Sequence, residues 1–174
     1  MIRILIFSVI TFYCNVIIAN PTTKELRKAF HESVLRSDKL PYFLNSVNAL
    51  KNPSPIEKAY IGASEALRAR ESWNPIDKLV YIHNYRKYLE EAVKSDQENL
   101  EIRFLRFSIE YNMPELIRSK KTIDEDKLII LSRLTQMDSF EIDKSMVNYI
   151  LVFFEDTKSC SQSEINLLRE KLRG

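Results

Sequence analysis

Only two glycines occur in 174 residues, Gly62 and the terminal Gly174. Soluble domains average about 7% glycine. Phosphate loops, dinucleotide fingerprints and nucleophile elbows all need glycine at fixed spacing, because a residue without Cβ lets the backbone turn tightly or approach a ligand. None of these can be built here. Tight hairpins meet the same shortage, since the chain has no Asn-Gly or Asp-Gly pair and no sustained period-two apolar alternation. Histidine is also scarce: His31 and His83 stand far apart, so no His–Cys metal site is expected and no cofactor is implied.

Helix-start signals fill the space that strands leave. Thr22–Glu25, Ser54–Glu57, Thr122–Glu125 and Ser161–Glu164 each match a capping box, in which a hydroxyl and a glutamate satisfy each other's backbone N–H groups. Asn74-Pro75 is a variant with proline at the first helical position. Apolar residues at helical spacing follow each signal. The pattern predicts helices near 23–36, 38–50, 55–70, 75–94, 100–112, 123–136, 139–156 and 162–172, with a short turn at 115–120. Gly62 and the alanines around it would let a neighbouring helix approach closely. The expected fold is all-α, about eight helices stacked as antiparallel hairpins with no sheet, and residues 20–174 form one domain.

The first nineteen residues have the layout of a secretory signal peptide: Arg3, an apolar run from Ile4 to Tyr13, and cleavage near Ala19. The run is too short to span a membrane. Bulky Tyr13 stands before Cys14, where lipoprotein signals carry a small residue, which argues against lipid anchoring. The expectation is a periplasmic or secreted protein with no transmembrane segment after cleavage. Cys160 then remains alone, so no internal disulfide forms. The whole chain has 26 Lys and Arg against 24 Asp and Glu, a near-balance that gives nucleic acid no concentrated basic face.

The most informative helix is LEIRFLRFSIEYN, residues 100–112. At about 100° per residue, Leu100, Phe104, Phe107 and Tyr111 share one side, and Ile102, Leu105 and Ile109 share another. Two polar seams lie between, one with Glu101, Ser108 and Asn112, the other with Arg103, Arg106 and Glu110. A helix apolar on two sides is packed on two sides. Arg106 is then expected to pair with Glu110 four residues on, with Arg103 flanking. The competing reading has the arginines line a groove and meet a partner's carboxylate or phosphate.

In the helix near 75–94, Leu79, Ile82, Leu89 and Val93 share a face with Arg86 in its middle. A charge there needs a partner, and Glu101 is the expected one, as a structural ion pair. Tyr81, Tyr85 and Tyr88 run beside that face, either as a core boundary or as a recognition stripe. The candidate groove is Tyr81, Tyr85, Arg103 and Arg106. Trp73, just before the cap Asn74, is expected to staple the helix start.

Residues 88–111 resemble the join between two helices of a tetratricopeptide repeat, with Tyr88, Ala92 and Asp96-Gln-Glu-Asn99 in the characteristic places. Gln97 replaces the usual proline, and no second copy stands at the expected spacing, so the repeat is at most degenerate. The signal together with AYIGASEALRAR (59–70), NPIDKL (74–79) and EIRFLR (101–106) is also similar to small exported helical proteins of Bacteroidota. That resemblance implies a helical periplasmic protein and carries no activity with it.

The expected function is a protein-binding or scaffold module of the cell envelope, without catalysis and with a protein partner of unknown identity. The alternative is a carboxylate-based hydrolase of an envelope polymer, with Glu101 as the candidate acid beside a second carboxylate. A subunit role in an envelope complex would follow if Val147, Leu151 or Phe154 formed an exposed patch.

Overall fold

A computed structural model describes residues 20–136 and 143–173; the expected signal peptide, with Cys14 and Ala19, lies outside the described residues. Among these residues eight α-helices follow one another: α1 Thr23–Leu35, α2 Leu40–Asn48, α3 Pro55–Glu71, α4 Pro75–Ser95, α5 Leu100–Asn112, α6 Lys120–Gln136, α7 Lys144–Thr157 and α8 Gln162–Arg173. A 3-10 turn, Ser37–Lys39, joins α1 to α2. No strand occurs among the described residues, and no helix among them is long and apolar enough to cross a membrane.

The caps follow the sequence signals with one exception. Thr22 Oγ1 accepts the Glu25 N–H at 3.3 Å while the Glu25 carboxylate accepts the Thr22 N–H at 2.7 Å. Ser54 with Glu57 and Ser161 with Glu164 do the same, and the Asn74 side chain takes the Ile76 N–H. Thr122 is the exception. α6 begins at Lys120, and the Ser119 hydroxyl accepts the Thr122 N–H at 3.2 Å, so Thr122 sits inside the first turn. Glu125 turns away from the helix start toward two arginines of α5. Where glycine is usual, the left-handed positions are filled by Asn52 (φ 50°) and Lys158 (φ 52°), the latter ending α7.

The helices stack as hairpins. α3 lies along α4 and α5 along α6, while α1, α3, α5 and α7 form a row in which each touches the next odd-numbered helix or closes a polar bridge to it. At Gly62 α4 lies close against α3: a Cβ there would stand 3.1 Å from Tyr88 Cβ and 3.2 Å from the Tyr85 carbonyl oxygen.

Two apolar cores result, and α5 belongs to both. Ile102, Leu105 and Ile109 join the core built by α1 to α4, around Phe43, Tyr60 and Leu89. Phe107, with Leu100, Phe104 and Tyr111, joins the core of α6 to α8, where its ring meets Phe154 edge-on at 5.4 Å. The two apolar sides expected of this helix are thus both covered. Val147, Leu151 and Phe154 are buried in the second core, so the exposed patch considered for them does not exist.

Candidate functional site

The seams of α5 are closed by other helices. On one side Glu101 is held by Arg27 of α1, which donates Nε and Nη2 to its two oxygens at 2.7 Å each. Tyr60 of α3 donates to the same carboxylate at 2.5 Å, and Arg27 Nη1 reaches Asp143 at the start of α7 at 2.7 Å. Glu101 therefore pins α1, α3 and α5 together and does not present a free carboxyl to a cleft. The contact with Glu101 raises the Arg27 pKa, and burial, reinforced by the Glu101 charge, pushes the Tyr60 phenol up, so both remain protonated donors.

The arginine seam faces α4 and α6. Arg106 grips Asp126 with Nε and Nη2, both at 2.7 Å, and Arg103 Nη1 adds a bond at 2.9 Å. Arg103 Nη1 also meets Glu125 at 2.6 Å, and its Nε donates to the Gln97 carbonyl. Asp126 is fully buried and Arg103 nearly so. The carboxylates that these arginines meet are the protein's own, so the expected pairing of Arg106 with Glu110 is replaced by bridges from α5 to α6.

Glu110 instead faces α4. Arg86 Nε donates to it at 3.0 Å, Tyr85 at 2.5 Å and the Ser119 N–H at 2.8 Å. Burial pushes Glu110 up, but these bonds win and hold it below the usual carboxylate range. Burial also raises the Tyr85 phenol, and Glu110 adds to the effect. The expected Arg86–Glu101 pair is therefore wrong in its acid. α4 and α5 run back from their connection, and residues equally far from it come level. Arg86 stands as far before the turn as Glu110 stands after it, whereas Glu101 lies beside the turn itself.

The candidate groove does not open. Tyr85 and Arg103 are buried, and Arg106 is almost closed in by Asp126 and Glu125. Tyr81 is half-buried with the Arg68 guanidinium 6.0 Å from its ring centre. What remains beside them is a polar cavity of about 210 Å³ touching Tyr85, Arg86, Arg106, Glu110, Ser119 and Thr122. Of its two carboxylates, Glu110 already has both oxygens occupied, and Glu90 stands exposed at its edge.

Sequence reasoning missed Arg27, Tyr60 and Asp126. Asp126 had a readable signal: it shares a helical stripe with Ile130 and Leu134, both buried, so an acid there needed a cation. Arg27 carried no such mark.

Among the described residues, an apolar stripe is left bare at the start of α4. Trp73 is 98% exposed, Ile76 71%, Leu79 66% and Val80 51%. Trp73 therefore does not staple the helix, and Leu79 is not in the core. On the helix wheel Ile76, Leu79, Val80 and the exposed His83 fall within about 60° of one line. Tyr85, Leu89 and Ala92 lie on the opposite side and are fully buried. So α4, like α5, is apolar on two sides, but only one of its sides is covered by the described residues. No family model matches the chain, no curated protein matches it, and no solved structure matches it.

Proposed function

We propose that this chain is a helical docking module of the cell envelope that holds another helix against the outer side of α4. One observation carries the reading: the stripe of Ile76, Leu79 and Val80, flanked by Trp73, is apolar at helical spacing and bare. An amphipathic helix laid along it would remove these side chains from water, the mode in which one helix anchors another at positions three and four apart. Aromatic anchors such as Trp73 dominate the energetics of such contacts. The signal-like N-terminus of the sequence supports export to the envelope, and the closed ionic bridges around α5 support a rigid support for the docking face.

The test is a photo-activated benzoylphenylalanine placed at Leu79 in the producing cell. A protein adduct should form there and should not form from Lys94, which is exposed at the other end of α4. No adduct at Leu79 would end the docking reading.

A further inference from the structure

We infer that the helix seated on this face is α4 of a second copy of the chain, lying antiparallel across a twofold axis near Leu79 and Val80. The inference rests on the docking reading above and names its occupant. The stripe is self-complementary. Its members recur three and four residues apart, the spacing by which two helices interdigitate. Turned on itself about that point, Leu79 comes level with the partner's Val80, and Ile76 with the partner's His83. No charged side chain lies on the stripe between Trp73 and His83, so none is forced out of water.

The ends of the pairing are complementary as well. Trp73 comes level with the partner's Arg86, which donates to its own Glu110 and to the Ile117 carbonyl while its side chain remains 37% exposed. A guanidinium over an indole face is a favourable contact. Exposed Lys87 comes level with the partner's α3–α4 turn, where Glu71 meets Arg70 and Ser37 with one of its two carboxylate oxygens.

Area supports a second copy of modest affinity. Trp73, Ile76, Leu79 and Val80 together offer on the order of 400 Å² per copy. Doubled, with the flanking Lys87 and His83, this comes to roughly 1,000 Å², the lower bound of a specific interface. A reversible dimer follows, not a permanent one.

Sedimentation velocity on the purified protein, over roughly 1–500 µM, tests it across the affinity range that such an interface allows. The expected result is a monomer–dimer equilibrium that Leu79→Asp weakens at least tenfold. Leu128→Asp, at an equally exposed leucine of α6, should leave it unchanged. Circular dichroism of each variant checks that the helices persist. Trp73 is the only tryptophan, so acrylamide quenching of its fluorescence should fall as concentration rises. A chain that stays monomeric throughout, or a dimer indifferent to Leu79→Asp, overturns the inference. If the chain is monomeric while the photo-probe at Leu79 captures a different protein, the second copy fails and the docking face stands. If it is monomeric and the probe captures nothing, both fail.

Discussion

Lys158 ends α7 with a left-handed backbone, where its Cβ crowds the following carbonyl. Glycine there would relieve the crowding, and Lys158→Gly should stabilise the chain by about 1 kcal/mol in urea denaturation. The buried ions point the other way. Asp126→Asn would leave Arg103 and Arg106 without their shared carboxylate, and Arg103 is only 4% exposed. The expected loss is about 3–5 kcal/mol. Glu125, which touches the same arginines but is 47% exposed, should cost under about 1 kcal/mol as Glu125→Gln. Equal losses from the two variants would mean that the network does not depend on burial. Sequence reasoning found that these arginines needed carboxylates but not which ones. Partner choice depends on the level at which two helices meet, and a single helix wheel contains no such information.

The two-faced helices were legible to different depths. For α5, apolar spacing alone placed Ile102 and Leu105 in one core and Phe107 in the other, because a buried helix has no solvent side to blur the pattern. For α4 the same spacing grouped exposed Leu79 with buried Leu89, because periodicity reports that a side is apolar and not what covers it. Ser119 was missed as a cap for a related reason: Thr122 and Glu125 matched the motif, but Arg103 and Arg106 outbid the helix start for Glu125. Gly62 was read correctly as a place of close approach, and it gives a test of how tightly α3 meets α4. Alanine is favoured over glycine in a helix by about 1 kcal/mol. At position 62 its methyl would press on the Tyr85 carbonyl and on Leu89, 3.2 Å away. Gly62→Ala should therefore lower stability by about 1 kcal/mol in spite of propensity. A stabilised variant would show that α4 can move outward at little cost.

All-α architecture was visible from the missing glycines and the capping boxes, whereas the tie between the halves was not, since Arg27 and Asp143 lie 116 positions apart. That tie makes stability depend on acid. Burial alone would raise the Asp143 carboxyl, but bonds from Ser145, Arg27 and the Met146 N–H outweigh it and hold it at about 2. Glu110 is also held below its ordinary range. A carboxylate depressed in the folded chain contributes stability that is complete above its unfolded value, about 4, and is lost as pH falls through the folded value. Urea midpoints should therefore drop between about pH 4 and pH 2, and Asp143→Asn should make that drop shallower. A slope that Asp143→Asn leaves unchanged would place the acid sensitivity elsewhere. The sharing of α5 between two cores also sets an order of events in time. A chain made from its N-terminus completes α1 to α5 while α7 and α8 are still unmade. At about 5–20 residues per second, the interval between the end of α5 and the end of α7 lasts roughly 2–9 s. Throughout it Phe104, Phe107 and Tyr111 lack the aromatic rings of α7 that later enclose them. The nascent protein thus offers a chaperone one aromatic ridge, which the last two helices withdraw when they arrive.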